Sequence, residues 1–433
     1  MNRSRVSSVE VVEKTRKSRR VRWWIVWTLF FSTTTNYLSR QTFSVLSPVI
    51  AAQYHLSHTD LAKILGTFQI SYAITWLLGG IFLDAVGTRV GLALAAALWS
   101  VVNMLTGLSS SVFAFATLRF MLGIGEGFNW PGASKTVAEW FPSSERSLAV
   151  AIFDSGSSVG GALAALVIPW IALSFGWRLA FVFSGVLGLL WLVTWLRIYH
   201  PIDQHPRVTP EEVALIREGR EVPPKLEVGL RSWRDLARNP NVWGIVLGRS
   251  LTDPIWWFYV FWLPQYLNDA RGFSLKRIAL FAWIPFVAAD LGNFTGGLIS
   301  GYCIRKGMSV VRARIWVCLF SCLPILAGIP AALVHNAGSA LGLICVALWG
   351  YASWSTMGLT LPSDLFPHDV VATVTGLSGT MAGLVGAAFT FAVGSLVDRF
   401  SYRPAFLAAG LLPLLATGFL FLLIRTPADA GKA

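Results

Sequence analysis

The chain alternates between long apolar segments and short polar ones. Twelve of the apolar segments are long enough to cross a bilayer, which takes about 20 mostly apolar residues. The predicted spans of the first half are 22–47, 60–83, 90–108, 112–132, 147–173 and 177–199. Those of the second half are 241–267, 277–303, 311–333, 338–361, 370–397 and 403–424. The pattern predicts an all-α integral membrane protein with twelve transmembrane helices.

The polar segments divide the chain into five parts. We expect a basic cytoplasmic segment over 1–21, a six-helix half over 22–199, a cytoplasmic linker over 200–240, a second six-helix half over 241–424 and a cytoplasmic tail over 425–433. The first apolar run has full span length and no small-residue cleavage site follows it, so it is predicted to be an uncleaved helix. Near the end of the linker, Leu230, Trp233 and Leu236 are spaced like one face of an interfacial helix.

The two halves look like repeats of each other. The segment 79–89 follows the second span as 296–307 follows the eighth, and 139–146 follows the fourth as 363–369 follows the tenth. Two similar six-helix halves packed face to face leave a cavity at their seam near the middle of the bilayer. This arrangement favours transport over enzymatic function.

Composition and charge agree with a membrane protein. Of the 433 residues, 55% are apolar and 13% are charged, against about 25% charged in soluble domains. This excludes a soluble enzyme, a disordered chain and a disulfide-rich secreted domain. Most of the 35 Lys and Arg residues fall on the side of the predicted spans that holds both termini. Because cytoplasmic loops are rich in Lys and Arg, both termini are predicted to be cytoplasmic. The net charge of +13 then needs no nucleic acid to explain it.

Several ionisable residues lie inside predicted spans and away from their ends, where charged side chains are costly and usually functional. They are Arg40, Arg119, Glu126, Asp154, Arg249, Asp253 and Asp290. Arg40 and Arg119 each lie about eight residues (~12 Å) from the outer end of their span, so they are predicted to face one cavity and bind an anion. An arginine can grip a carboxylate with two hydrogen bonds. A structural pairing of Arg40 with a helix end or a carboxylate stays open.

Glu126 is the candidate proton carrier. Burial favours its protonated form and nearby arginines oppose this, so binding of an anion would favour protonation. The alternative is a permanently ionised partner of Arg119 or Arg40. Arg119 has a competing structural role, because Gly123 and Gly127 are spaced for close helix contact. Aromatic residues near the cavity could stack on a sugar ring; the candidates are Tyr37, Tyr72, Trp256, Trp257, Trp349 and Trp354.

Charged residues at the cytoplasmic junctions are candidates for gating. Asp84 with Arg89, and Glu139 with Arg146, could make contacts with helix ends that change between conformations. No nucleophile–base pair, metal cluster or cofactor motif is recognised, so we expect no enzyme activity, no cofactor and no metal.

Several motifs resemble a known family. Gly80, Asp84, Gly87 and Arg89 match the signature loop of the major facilitator superfamily, and Arg119, Gly123 and Gly127 match its fourth-helix motif. The segments 36–45, 125–132 and 139–150 resemble its anion:cation symporter family. The segments 249–266, 277–297 and 362–377 resemble the bacterial hexuronate transporters within that family.

The resemblance implies proton-coupled import of glucuronate or galacturonate. It assigns Arg40, Tyr72 and Ser157 to the sugar acid, and Glu126 with Arg119 to the proton. Ser39 stands where many relatives carry an Asp, and Asp154 where the branch usually has an Asn, so the number of protons stays open.

We therefore expect a hexuronate:proton symporter that alternates access by rocking its two halves. Tyr37, Trp256 and Trp354 complete the predicted substrate contacts. The expected partners are a sugar-acid anion, a proton and the lipid bilayer of a bacterial inner membrane, with no nucleic acid, and the expected state is a monomer. The alternatives are a symporter for an aldonate or aldarate and, in a different class, a non-transporting membrane sensor.

Overall fold

Helices make up nearly all of the described structure. A computed structural model describes residues 21–142, 145–217, 236–366 and 368–425, and no strand occurs in these ranges. The helices of the first half are α1 Val21–Tyr54, α2 His58–Val86, α3 Thr88–Thr106, α4 Val112–Gly127, α5 Asn129–Trp140, α6 Arg146–Phe175 and α7 Trp177–Ile198. A short helix, α8 Pro210–Arg217, follows in the linker.

The second half repeats the pattern of long helices. Its helices are α9 Pro240–Asp269, α10 Leu275–Phe281, α11 Ile284–Arg305, α12 Val310–Ile325, α13 Gly328–Ala331, α14 Ala337–Leu365, α15 His368–Arg399 and α16 Arg403–Leu423. Each of the twelve predicted spans coincides with one long helix or with two consecutive helices. The all-α fold predicted from the sequence is confirmed.

Eight helical segments in the described ranges are long and apolar enough to cross a membrane. They are Thr88–Thr106, Ala149–Phe175, Trp177–Ile198, Leu275–Arg305, Val310–Ala331, Ala337–Leu365, Thr373–Arg399 and Arg403–Leu423. The long helices α1 and α9 are not among them. Both carry buried polar side chains along their length, which makes them the helices to search for a site.

Glycines with positive φ separate consecutive helices in the first half. Gly87, with φ 85°, lies between α2 and α3, and Gly176, with φ 90°, lies between α6 and α7. Residues with a side chain rarely adopt this conformation, and glycine adopts it without a steric cost. These two residues therefore let the chain reverse direction in a very short turn.

Helices pack against one another within each half and also across the seam between the two halves. In the first half α1 packs on α6, α2 on α4, and α3 on α7; in the second, α14 packs on α11 and α12, and α9 on α16. Across the seam α2 packs on α15, α1 on α9, and α6 on α10. Small residues line much of the α2–α15 contact, where a Cβ on Gly383 would lie 2.8 Å from Ala73 Cβ and one on Gly394 would lie 2.4 Å from Ala62 Cβ.

A polar cluster closes the seam at the end of the bundle where α2 begins. His58 Nδ1 lies 2.8 Å from Asp398 Oδ1, and His58 Nε2 lies 2.8 Å from Asp269 Oδ2. Thr59 donates from its backbone N–H to Asp398 at 2.7 Å, and Tyr402 donates to Asp269 at 2.9 Å. These five residues, here called the mouth clasp, join α2 of the first half to α9, α15 and α16 of the second.

The mouth clasp is electrostatically coupled and lies beyond the ends of the predicted spans. Burial alone would lower the pKa of His58, but hydrogen bonds with Asp269 and Asp398 outweigh it and raise that pKa. Thr59 donates to Asp398 from both its backbone N–H and its hydroxyl, which favours the ionised carboxylate there. The clasp is therefore strongest with a protonated imidazole between two ionised carboxylates.

An ion-paired cluster fixes the linker to the first half at the opposite end. Arg22 at the start of α1 donates to Glu145 at 2.8 Å and to Glu212 of α8 at 3.3 Å. The predicted basic segment 1–21 lies almost wholly outside the described residues. So do Leu230 and Trp233 of the predicted interfacial helix, whereas Leu236 is described and buried.

Candidate functional site

The centre of the site is an ion pair between α1 and α4. Arg40 Nε donates to Glu126 Oε2 at 2.9 Å, and Arg40 Nη2 donates to Asn36 Oδ1 at 3.0 Å. Both charged side chains are fully buried. Arg40 Nη1 and Glu126 Oε1 have no hydrogen-bond partner among the described residues. The pair therefore keeps one free donor and one free acceptor.

Aromatic rings surround the Arg40 guanidinium. Its Cζ lies 4.4 Å from the ring centroid of Tyr37, 4.6 Å from that of Tyr72 and 5.6 Å from that of Trp257. Ring faces attract a cation at these distances, so the rings hold the guanidinium in place. Tyr37 and Tyr72 belong to the first half and Trp257 to the second, which places Arg40 at the seam.

Arg119 lies beside the same pair and is fully buried. Its Nη2 donates to the backbone oxygen of Arg40 at 3.2 Å, while Nε and Nη1 have no partner among the described residues. The sequence places Glu126 near Arg119, but the hydrogen bond to Glu126 comes from Arg40. Arg119 thus supports the backbone that carries Arg40 and adds a second positive charge.

The glycines after Arg119 allow α4 to lie directly on α2. A Cβ on Gly123 would lie 2.5 Å from Phe68 O, and one on Gly127 would lie 2.7 Å from Thr75 Cβ. The close helix approach predicted from this spacing is confirmed. The chain then breaks between α4 and α5 at Phe128, two residues after Glu126.

The second half contributes aromatic residues and another ion pair. Trp256 stacks on Tyr351 with ring centroids 5.9 Å apart and meets Phe286 edge-on at 6.0 Å. Arg249 donates to Asp253 at 2.9 Å and to Ser378 at 3.0 Å. This arginine therefore already has a carboxylate partner inside its own half.

Two further predicted substrate contacts, Ser157 and Trp354, lie on α6 and α14. Ser157 is half-buried on α6. Trp354 is fully buried in the second half, where its indole N–H donates to Thr417 at 2.9 Å. The structure places Tyr37 and Tyr72 at Arg40, whereas it places Trp354 in the packing of α14 against α16.

Two of the predicted gating residues, Arg89 and Glu139, have described contacts, and these lie near helix ends. Arg89 donates to the backbone oxygen of Leu196 at 2.7 Å. Glu139 accepts hydrogen bonds from Thr88, at 2.9 Å, and from Tyr199. The side chains of Asp84 and Arg146 lie outside the described part of the structure, so neither predicted pair is described.

Two further carboxylates lie in the spans on either side of the seam. Ser158 of α6 donates to Asp290 of α11 at 2.5 Å. Asp154 lies one helical turn before Ser158 on α6 and within electrostatic range of Asp290. This hydrogen bond is a polar contact across the seam in addition to the mouth clasp.

Sequence reasoning missed several residues of this region. Gln69 on α2 and Asn36 on α1 are polar residues in apolar helices, three and four positions before Tyr72 and Arg40 respectively. That helical spacing was a signal for both. His58, Asp269 and Asp398 are far apart in sequence and carried no such signal.

The arrangement suits binding of an anion more than chemical conversion. It offers free donors on Arg40 and Arg119, aromatic faces and a carboxyl group able to hold a proton. In the described ranges no group of three or more His, Cys, Asp or Glu side chains is placed to hold a metal ion. A buried charged site enclosed by helices from both halves of the chain is typical of a multi-pass membrane transporter.

The comparisons with known proteins agree with this class. The chain belongs to the Major Facilitator Superfamily, whose family model matches residues 29–390. The predicted family is thus confirmed, and the protein is a transporter and not an enzyme.

Relatives and solved structures carry the likeness over nearly the whole chain. The chain is 32% identical to the hexuronate transporter of Escherichia coli K12, over 92% of this chain and 93% of that protein. It is 36% identical to a galacturonate transporter of Dickeya chrysanthemi, over 65% of this chain and 82% of that protein. A bacterial homologue of the lysosomal transporter Spinster, solved in an inward-facing, unoccupied conformation, has a TM-score of 0.71 at 18% identity and covers 94% of this chain and 96% of its own.

Proposed function

We propose that this protein is a symporter that imports a hexuronate, glucuronate or galacturonate, together with a proton. The observation that carries the proposal is the buried Arg40 guanidinium, held by Tyr37, Tyr72 and Trp257 with one donor nitrogen free. A carboxylate is the group that such a guanidinium binds best. The similarity to hexuronate and galacturonate transporters supports the same substrate class.

Binding of the proton and binding of the sugar acid are coupled because Arg40 exchanges the Glu126 carboxylate for the substrate carboxylate. An ionised Glu126 occupies Arg40 Nε. When Glu126 takes a proton, the arginine is left buried without its counter-charge, a state that costs about 3–5 kcal/mol. A substrate carboxylate removes that cost by replacing Glu126. Substrate and proton therefore favour each other's binding, while Arg119 stays charged beside them.

The electrical balance agrees with one proton for each monoanion. Moving one charge through 100 mV is worth about 2.3 kcal/mol, so a lone anion enters an inside-negative cell uphill. A proton carried along makes the step electroneutral. The pH gradient can then drive accumulation.

The second ion pair favours a hexuronate over an aldarate. An aldarate has a second carboxylate, which needs a second unpaired cation near the far end of the substrate. Arg249 in the second half is already paired with Asp253 at 2.9 Å. A dicarboxylate would have to break that pair, whereas a hexuronate presents only hydroxyls there.

Transport would proceed by alternating access of the two halves, 22–199 and 241–424. We place the mouth clasp on the outer side of a bacterial inner membrane and both termini in the cytoplasm, because Lys and Arg are concentrated at the terminal side. The protein would act as a monomer, since each chain contains both halves. Ser157 and Trp256 would line the path, and Arg89 and Glu139 would stabilise the cytoplasmic end of the first half.

Uptake by proteoliposomes tests the proposal. With an imposed inward pH gradient, we expect the wild type to accumulate labelled glucuronate or galacturonate. We expect Glu126→Gln to lose proton-driven accumulation and to retain counterflow exchange, because glutamine cannot release a proton and leaves Arg40 free for the carboxylate.

Counterflow in the same variant shows that it is folded and binds substrate. Asp203→Asn, at a largely exposed side chain outside the bundle, is the matched acid-to-amide control and should accumulate normally. Proton-driven accumulation by Glu126→Gln at the wild-type level would exclude Glu126 as the coupling group. Glucarate outcompeting glucuronate would exclude the hexuronate assignment.

A further inference from the structure

Gln69 is a buried amide without a partner at the proposed binding site. It lies on α2 with 1% of its surface exposed. Neither its Oε1 nor its Nε2 makes a hydrogen bond within the described part of the chain. Burying an amide without hydrogen bonds is unfavourable. An amide kept in this state indicates a hydrogen-bond partner other than the described residues, such as a bound ligand.

The position of Gln69 links it to the Arg40 site. Residues three apart on a helix share a face, so Gln69 lies on the face of Tyr72, whose ring is 4.6 Å from the Arg40 Cζ. The neighbouring Phe68 ring lies 5.2 Å from the Arg40 Cζ and 4.9 Å from the Arg119 Cζ. Gln69 is thus within one helical turn, along α2, of the Tyr72 ring that contacts the Arg40 guanidinium.

The second half leaves room for this amide. Gly386 of α15 faces it, where an added Cβ would lie 3.7 Å from Gln69 Nε2 and 2.9 Å from Trp257 Cδ1. Gln69 therefore lies at the seam, beside Gly386 of α15, which also lies close to the ring of Trp257. It makes no hydrogen bond to α15 that would explain it as a structural link.

The chemistry of the amide fits the part of the substrate that Arg40 does not bind. A guanidinium only donates hydrogen bonds, whereas a glutamine amide both donates and accepts. A sugar hydroxyl also does both, so adjacent ring hydroxyls complement an amide. We propose that Gln69 binds ring hydroxyls of the sugar acid whose carboxylate binds Arg40, and so selects polyhydroxylated acids over simple carboxylates.

This inference rests on the proposed function, and analogues that lack single hydroxyls test it. Wild type and Gln69→Leu are compared in proteoliposomes by competition of each deoxyhexuronate against labelled glucuronate. Leucine keeps a similar volume and removes both polar atoms. We expect the variant to bind glucuronate about ten- to a hundredfold more weakly, as lost hydrogen bonds to a buried polar site predict.

The decisive readout is the coupling between residue and hydroxyl. In the wild type, removal of the hydroxyl that Gln69 binds should weaken competition about tenfold or more, and in Gln69→Leu the same removal should have almost no effect. The maximal rate should change little in the variant. A structural role would instead weaken binding of all analogues by the same factor.

Ser71→Ala is the matched control on the same helix. Ser71 is buried and donates to Phe68 O at 3.0 Å within its own helix, so its loss should leave the ratios of the analogues unchanged. Equal ratios in wild type and Gln69→Leu would overturn the inference while the proposed function stands. A wild type that transports no hexuronate would overturn the proposed function itself.

Discussion

At the scale of single residues, Arg40 combines three constraints. It is fully buried, it is paired with Glu126 and it is enclosed by aromatic rings from both halves. Breaking a buried ion pair by removing one partner is strongly destabilising. In the proposed mechanism, Glu126 holds the place that a substrate carboxylate takes, which keeps Arg40 paired before substrate binds.

Replacing Arg40 by lysine should greatly weaken binding of the sugar acid. A lysine ammonium keeps the charge but lacks the planar fork that can bind a substrate carboxylate with two hydrogen bonds. We expect the dissociation constant, measured by calorimetry in nanodiscs, to rise at least about tenfold, since charged hydrogen bonds contribute ~1.5–3 kcal/mol.

Arg178→Lys is the control for that change, because Arg178 is exposed and donates to Tyr54 at the end of α1. It should bind substrate like the wild type. Unchanged affinity in Arg40→Lys would contradict the role of the guanidinium fork.

At the scale of elements, the contact between α4 and α2 sets the relative position of two helices that carry residues of the candidate site. Arg119 and Glu126 lie on α4, and Gln69 and Tyr72 lie on α2. The two helices meet through glycines that leave no room for a side chain. The motif formed by Arg119, Gly123 and Gly127 therefore sets the distance between α4 and α2 at the candidate site, and it is also characteristic of the family.

Gly123→Ala should destabilise the protein through this contact. The added Cβ would lie 2.1 Å from Ser71 Oγ and 2.5 Å from Phe68 O, and such overpacking costs about 1–3 kcal/mol. We expect a lower melting temperature in detergent and weaker substrate binding.

Gly342→Ala is the matched control, because no atom lies within 4 Å of its added Cβ. Alanine also favours the helical state, so this variant should melt at or slightly above the wild-type temperature. If both variants melted alike, the close contact would not limit stability.

Helix positions were the most predictable part of the structure. The predicted span 60–83 corresponds to α2 His58–Val86, and 403–424 to α16 Arg403–Leu423, because apolar length alone determines a membrane helix. The break after Gly127 within the predicted span 112–132 was not predicted, although Pro131 marks it, because proline has no N–H to donate to the Gly127 carbonyl.

The site was predictable in part. Buried charges in apolar helices stand out in any sequence, and this singled out Arg40, Arg119 and Glu126. Their pairing did not follow, because Arg40 and Glu126 are 86 positions apart and only packing brings α1 and α4 together. Trp354 is the opposite case. From sequence alone, a tryptophan packed in the core cannot be distinguished from one that lines a cavity.

At the scale of the whole molecule, the mouth clasp makes closure depend on pH. Hydrogen bonds with Asp269 and Asp398 raise the pKa of His58 in the closed form, against an ordinary value of about 6.5. The clasp therefore contributes fully below about pH 6.5 and loses strength as the pH rises through the raised pKa of His58.

Distance measurements between spin labels test this expectation. Labels replace Ser110 in the first half and His335 in the second, both exposed at this end, in a background without the native cysteines. We expect short distances at pH 6 and a population of longer ones at pH 9. In His58→Asn the pH response should disappear, because no titrating group then lies between the two carboxylates.

His55→Asn is the matched control, since His55 is exposed nearby and its φ of 53° suits asparagine. It should keep the pH response of the wild type. A pH response in His58→Asn equal to that of the wild type would show that other groups govern closure.

The small residues of the α2–α15 contact bear on how quickly the halves can separate. Ala73 meets Gly383 and Ala62 meets Gly394, whereas the Phe391 ring of α15 lies over Gly66 of α2. At the small-residue positions, no long side chain has to leave one surface and find a socket on the other. Helix surfaces of this kind can move against each other with little change in side-chain rotamers. The barrier to each transport cycle would then come chiefly from the polar ends of the contact. Changes at those ends could raise or lower the transport rate without altering the residues that bind the substrate.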